Sequence, residues 1–132
     1  MTFSPAAIDT LCAHFQDTGR KPDYYDAIFS GDLGKVGKSI VVDLMKKEGY
    51  DLSENYFDCG ELIFDSSQDV HSGASGCGCS GLTLCAHILP QMKKKSLRRV
   101  LFMPTGALMS PTAVQQGESI PGVAHALSLY TE

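Results

Sequence analysis

Apolar residues recur at helical spacing in three stretches of the chain. The first covers residues 4–17, behind a proline suited to an opening helical turn, and Gly19 marks its end. The second covers residues 35–47, where two closing lysines complement the negative end of a helix dipole. The third covers residues 82–92, and Pro90 within it predicts a kink or a local end because proline has no amide hydrogen.

Short apolar runs lie between and after these stretches and predict β-strands. One of the runs contains Gly60, which predicts a bend because glycine weakens a strand. A segment punctuated by glycine and proline, residues 105–121, precedes the last run and is predicted to be a long loop. The predicted strands cover residues 25–29, 57–65, 100–103 and 123–130.

The predicted order of elements is helix, strand, helix, strand, helix, strand, strand. This alternation is typical of an α/β fold, in which crossover helices connect the strands of a mostly parallel sheet. Ligands bind such folds at the carboxyl ends of the strands, so the loops at residues 30–34, 65–81 and 105–117 are candidate binding loops. Because the chain opens on a helix, we expect the sheet to lack its first strand.

Composition places the chain among single globular domains. Its 132 residues are 43% hydrophobic, which suffices for one core. Eleven Lys and Arg against fifteen Asp and Glu give a net charge of -4, which excludes a broad basic face for nucleic acid. No apolar run is long enough to span a bilayer, and residues 1–10 lack the pattern of a secretion signal. Five cysteines, including Cys77 and Cys79, do not suggest a disulfide framework, so we expect a soluble protein of the reducing cytosol.

Residues 69–81, DVHSGASGCGCSG, form the stretch with the most distinctive composition. Its glycines and serines disfavour regular structure, and the apolar periodicity that follows places the stretch at the start of a helix. The first amide groups of a helix lack intrahelical partners and the helix dipole is positive there. An anionic or carbonyl-bearing ligand can therefore approach bare backbone at this turn, with His71 at its mouth.

Two glycine motifs approach nucleotide-binding patterns without fitting them. Residues 31–39, GDLGKVGKS, stand between a strand and a helix, but Asp32 occupies the position of the first P-loop glycine and would repel phosphate. Residues 76–81 fit G-x-G-x-x-G, yet no strand adjoins them, and Leu101 lies about where a ribose-binding acid is expected. The favoured interpretation of both motifs is a turn whose backbone conformation is made accessible by glycine.

Cysteines and a basic run allow further interpretations. His71, Cys77, Cys79 and Cys85 lack the two paired knuckles of a zinc site, so packing is their favoured role. A nucleophilic Cys77 with a lowered pKa at a helix start, beside His71, is a second interpretation. Residues 93–99 carry five basic side chains, which suit a solvated helix end, with contact to anionic lipid headgroups as the alternative.

Several segments together resemble the thiolase-like superfamily, in the C-terminal half of its members. Residues 71–76 are similar to the thiolase stretch in which a catalytic histidine precedes a glycine-rich helix start, and residues 101–108 and 122–130 parallel the last two strands. Within that superfamily the chain resembles the stage V sporulation protein AD family of endospore-forming bacteria. The latter resemblance rests on residues 30–37, 57–60, 68–81 and 104–126.

The resemblance implies that residues 1–132 form a partial C-terminal thiolase-like domain. In that family the nucleophilic cysteine belongs to the N-terminal half, and residues 104–106, Pro-Thr-Gly, stand where a thiolase has its second reactive cysteine. The resemblance therefore implies a binding protein without catalytic activity. The first alternative is an acyl-transfer or condensing enzyme whose nucleophile lies in the missing half. The second is a scaffold that holds membrane partners through residues 93–99.

The same resemblance implies a ligand, partners and a location. The ligand is dipicolinic acid or its calcium chelate, taken up into the developing spore, with no other cofactor. The implied partners are the missing N-terminal half, other stage V sporulation proteins at the cytoplasmic side of the spore inner membrane, and a second copy of the chain. Carboxylates of the ligand need amide or cationic donors, and calcium needs hard oxygens. The expected ligand-binding residues are Asp32, Asp58, His71, Ser75, Gly76, Thr105, Gln115 and Gln116.

Overall fold

The elements of the chain alternate between helices and strands. The structure, a computed structural model, describes residues 4–73, 76–107 and 110–132. The first part of the chain contains α1 (Ser4–Thr18), a 3-10 turn (Pro22–Tyr24), β1 (Ala27–Ser30), α2 (Gly34–Lys47), β2 (Tyr56–Asp58) and α3 (Cys59–Leu62). The second part contains α4 (Cys79–Thr83), a π-helical turn (Leu84–Ile88), α5 (Leu89–Lys93), β3 (Arg99–Met103), β4 (Thr105–Ala107), α6 (Pro111–Gln115), β5 (Gly122–Ala124) and β6 (Leu127–Tyr130).

The main sheet has four strands in the order β2-β1-β3-β6. Strand β1 pairs in parallel with β2 and β3, with Ile28 opposite Tyr56 on one side and Leu101 on the other. Strand β6 runs antiparallel to β3. The predicted α/β fold with a mostly parallel sheet is therefore confirmed. The carboxyl ends of β1, β2 and β3 lie at one edge of the sheet, called the carboxyl edge below.

Apolar side chains cover both faces of this sheet. Leu11 and Met45, from the helices α1 and α2, pack with Ile28 of β1 in one buried cluster. Phe29 of the same strand points to the other face, where it packs with Ile88 in a second cluster. This alternation follows from the two-residue period of a strand, and burial of both faces accounts for the continuous apolar sequence of β1.

The three predicted helices are confirmed, the third with an altered start and middle. It begins at Cys79 instead of residue 82, and it contains a π-helical turn in which the amide of Leu89 donates to the carbonyl of Leu84. Pro90 follows at once as the second residue of α5. The π-helical turn thus ends two residues before Pro90, the residue that has no amide hydrogen to donate.

The predicted strand over residues 57–65 is wrong beyond Asp58, because the chain turns there into the short helix α3. The lack of a side chain at Gly60 lets α3 begin close to a neighbouring loop. A Cβ atom on Gly60 would lie 3.2 Å from the Cα of Asp32, in the loop that follows β1. Where the sequence predicted a bend within one strand, the structure therefore has the passage from strand β2 to helix α3.

The prediction for the C-terminal region is also corrected. Residues 105–121 contain β4 and α6, and the Ser110 hydroxyl accepts the amide of Ala113 at 3.3 Å to cap α6. The expected last strand over residues 123–130 is two strands. Strand β5 pairs with β4 in a separate two-stranded antiparallel sheet, and β6 joins the main sheet.

Candidate functional site

A buried carboxylate organises the carboxyl edge. Asp58, at the end of β2, is 0% exposed and accepts a hydrogen bond of 2.6 Å from the Ser30 hydroxyl. Its two oxygens also accept the amides of Leu33 and Gly34, each at 2.9 Å. Asp58 therefore caps the start of α2 although it belongs to strand β2. Sequence rules for helix caps consider only residues next to the helix, so they do not identify this cap.

Burial determines the ionisation of the groups around Asp58. Burial raises the pKa of the Asp58 carboxyl, while its hydroxyl and amide donors oppose that rise. Burial also raises the pKa of the neighbouring Cys59 thiol to about 12, and it raises the pKa of Cys79. These two thiols are accordingly protonated at neutral pH, which makes them poor nucleophiles.

Asp32 and Thr105 join this edge from two further loops. The Thr105 hydroxyl donates to Oδ1 of Asp32 at 2.6 Å. A Cβ atom on Gly31 would lie 2.5 Å from Oγ1 and 2.7 Å from the amide nitrogen of Thr105, so the turn after β1 touches the start of β4. Three of the predicted site residues, Asp32, Asp58 and Thr105, therefore lie around one turn.

The first part of the glycine-rich stretch packs on the start of α2. The carbonyl of Ser72 accepts the amide of Lys35 at 2.7 Å. Gly34 has a φ of 71°, and a Cβ atom there would lie 2.5 Å from that carbonyl. The amides of residues 33–35 are therefore all occupied by Asp58 and Ser72. A phosphate would have to compete with Asp58 and Ser72 for these three amides, which argues against the P-loop interpretation of residues 31–39.

The second part of the glycine-rich stretch is open to solvent. Gly76, Cys77 and Gly78 are exposed, and a Cβ atom on either glycine would meet no atom within 4 Å. Helix α4 begins directly afterwards at Cys79. The bare backbone that the sequence predicted is thus present at Gly76, whereas Ser75 lies outside the described residues.

His71 lies on the surface of the same stretch. Its side chain is 89% exposed, and its Nδ1 lies 3.7 Å from the Asp69 carboxylate. Its φ of 52° is unusual for a residue other than glycine, so the loop holds the backbone here in a left-handed conformation. Cys77 is a free, exposed thiol, and its pairing with His71 stays a prediction. In the part of the chain that is described, no group of three or more potential ligands can hold a metal ion.

Gln115 and Gln116 lie apart from the hydrogen-bonded network of the carboxyl edge. Both are exposed at the end of α6. The amide of Gln116 donates to the carbonyl of Thr112 at 3.0 Å, which is a bond within its own helix. Their role as ligand-binding residues stays a prediction.

A cavity of about 230 Å³ opens at the same edge and was missed by sequence reasoning. One wall of this cavity consists of residues that follow Asp58. They were predicted to continue a strand, but they form α3 and a turn instead. Another concavity, of about 540 Å³, lies at the amino ends of β1 and β2, beside Tyr25 and Asn55. Ligands of α/β folds bind at the carboxyl ends, which favours the smaller cavity. The smaller cavity is lined by Lys35, Glu61, Phe64, Asp65, Ser66, Gln68, Val70 and Gly73.

Comparison with known proteins agrees with the resemblance to the stage V sporulation protein AD family. The family model for stage V sporulation protein AD matches residues 1–130. Stage V sporulation protein AD of Bacillus subtilis (strain 168) is 47% identical over 122 residues, which are 92% of this chain and 36% of that protein. The chain thus spans about a third of the length of the curated relative. Within the described residues, none of the helices is both long and apolar enough to cross a membrane. The chain belongs to the stage V sporulation protein AD family.

Proposed function

We propose that this chain is part of a protein that binds dipicolinic acid, or its calcium chelate, for uptake into the developing spore. Membership of the stage V sporulation protein AD family implies a role in sporulation. The observation that carries the proposal is the open backbone at Gly76 and Gly78, at the carboxyl edge of a mostly parallel sheet. Amide groups without side chains in front of them suit the carboxylates of a small anionic ligand.

The proposal includes binding without catalysis. Acyl transfer requires a nucleophile, a proton carrier and an oxyanion site in one place. The buried thiols of Cys59 and Cys79 at this edge have raised pKa values, and His71 points into solvent. These features favour a binding role over an acyl-transfer role for this part of the protein.

The proposed fold is that of a C-terminal thiolase-like half. The three parallel strands and the reversed last strand of the sheet are compatible with it. We further propose that the rest of the longer family chain covers an apolar surface on α4, α5 and α3. Leu82 is 61% exposed there, Leu89 is 44% exposed and Leu62 is 41% exposed. The proposed location is the cytoplasmic side of the spore inner membrane.

Titration calorimetry on the protein at its native length tests the function. We expect dipicolinate to bind, in the presence or absence of calcium, and a His71→Ala variant to bind more weakly. His125, which is also exposed, provides the matched control as His125→Ala. Absence of any dipicolinate binding would refute the function, whereas full binding by the His71→Ala variant would refute only the site assignment. Rapid stoichiometric labelling of one cysteine by an acyl thioester would support the enzyme alternative instead.

A further inference from the structure

Positive charge collects at the edge of the main sheet opposite the carboxyl edge, where β1 and β3 begin. Residues 20–26 lead into β1 and residues 93–99 lead into β3, and the two segments meet because these strands are parallel neighbours. Strand β6 is antiparallel to β3 and brings residues 130–132 to the same edge. These three segments, called the amino edge below, contain seven basic side chains and three acidic ones, although the whole chain has a net charge of -4. The seven cations are Arg20, Lys21, Lys93, Lys94, Lys95, Arg98 and Arg99.

Contacts between the segments hold these cations on one surface. The Asp26 carboxylate accepts the amides of Arg98 and Arg99, at 2.8 Å and 2.9 Å. The guanidinium groups of Arg20 and Arg99 both lie 4.5 Å from the centre of the Tyr24 ring. Backbone and side-chain contacts therefore join the start of β1 to the start of β3, and the positive charges of both segments add up in one place.

The positive charges of the amino edge are accessible from solvent. Six of the seven cations are exposed and Arg20 is half-buried. Within the described part of the chain, none of the seven forms a close ion pair with a carboxylate. Asp26 compensates one charge, because the amides of Arg99 and Arg98 lower the pKa of its carboxyl and keep it ionised. A negatively charged surface can therefore approach the other cations without first breaking ion pairs.

An exposed aromatic side chain borders the same cations. Tyr130, at the end of β6, is 74% exposed and is paired in register with Arg99 of β3. Tyrosine combines an apolar ring with a polar hydroxyl, and it is enriched at the interface between membrane and water for that reason. Clusters of lysine and arginine bind the negatively charged headgroups of such an interface. The amino edge thus combines both features of a surface that contacts anionic lipid.

We propose that the amino edge binds anionic phospholipid headgroups and holds the carboxyl edge away from the bilayer. This inference assigns a surface to the proposed location and is independent of dipicolinate binding. Nucleic acid is a less suitable polyanion, because the basic surface ends at a concavity lined by acidic residues and cannot follow a long phosphate backbone. The acidic residues of that concavity are Asp23, Asp51 and Glu54.

Sedimentation of the protein at its native length with lipid vesicles tests this surface. We expect binding to vesicles of equal parts phosphatidylglycerol and phosphatidylcholine, little binding to pure phosphatidylcholine, and a steep fall in binding as salt is added. The double variant Lys94→Gln/Lys95→Gln should bind the anionic vesicles about tenfold more weakly or worse.

The matched control is Lys46→Gln/Lys47→Gln, which removes the same charge from exposed lysines in the last turn of α2. This control should bind vesicles like the unaltered protein. Equal loss of binding by the two double variants, or equal binding to anionic and neutral vesicles, would overturn the inference. Because no dipicolinate is present in this assay, such a result would leave the proposed ligand binding intact.

Two further measurements use the unaltered protein. Anionic vesicles should protect residues 93–99 and 130–132 from hydrogen exchange. Protection confined to α3, α4 and α5 would overturn the inference, because the apolar surface would then contact the lipid. At the same salt concentration we expect weaker binding to duplex DNA of random sequence than to anionic vesicles. Binding to DNA without binding to vesicles would also overturn the inference.

Discussion

Replacing Asp58 by alanine removes the group on which the turn between β1 and α2 depends. The variant loses the acceptor for the Ser30 hydroxyl and for the amides of Leu33 and Gly34. Each buried donor that is left without a partner costs about 1–3 kcal/mol, less wherever water enters the space. We therefore expect Asp58→Ala to lower the free energy of unfolding by roughly 3–5 kcal/mol.

This loss is large compared with the stability of the whole chain. At about 0.05–0.15 kcal/mol per residue, a domain of this length has a free energy of unfolding of roughly 7–20 kcal/mol. Urea unfolding at pH 7, followed by circular dichroism, should show a midpoint lowered by about 1 M or more. Asp43, an exposed aspartate on α2, is the matched control, and Asp43→Ala should change stability by no more than about 0.5 kcal/mol. A loss below about 1 kcal/mol for Asp58→Ala would contradict the capping role.

Two further predictions concern pH and close packing. Burial and Arg20 lower the pKa of His14, so the unfolded chain binds this proton at a higher pH, and stability should fall as the pH drops below about 6.5. Urea midpoints measured between pH 7.5 and 5 should fall less for His14→Gln, and an equal fall would reject this linkage. Gly31→Ala should destabilise the chain by about 1–3 kcal/mol, because its methyl group would meet the backbone of Thr105 at 2.7 Å. Gly81→Ala, in open space within α4, should be neutral or stabilising, and equal effects of the two alanines on the melting temperature would refute the packing argument.

The long helices and the central strands could be predicted from local sequence, because the apolar residues of each element are arranged as that type of element requires. The stripe of α1 and the continuous apolar run of β3 need no knowledge of distant residues. The strand predicted over residues 57–65 was wrong for a non-local reason. Asp58 ends β2 because its oxygens accept amides from α2, which lies about 25 residues earlier in the chain.

The candidate site was predictable to the extent that it follows from sheet topology. Asp32, Asp58 and Thr105 each follow a parallel strand or end one, so a shared edge brings them together. Lys35 and Phe64, which line the cavity of about 230 Å³, carried no signal in the sequence as neighbours. Their meeting depends on the direction in which α3 leaves β2, and that direction is set by tertiary contacts at Gly60.

The close approach of backbone segments at Gly31, Gly34 and Gly73 limits how this family can diverge. At each position the nearest neighbours include backbone atoms of another segment of the chain, so no change of rotamer can make room for a side chain. A larger residue at any of these positions would therefore require two backbone segments of the chain to move apart. We expect homologues to vary freely on their outer helices and to keep these three positions as glycine.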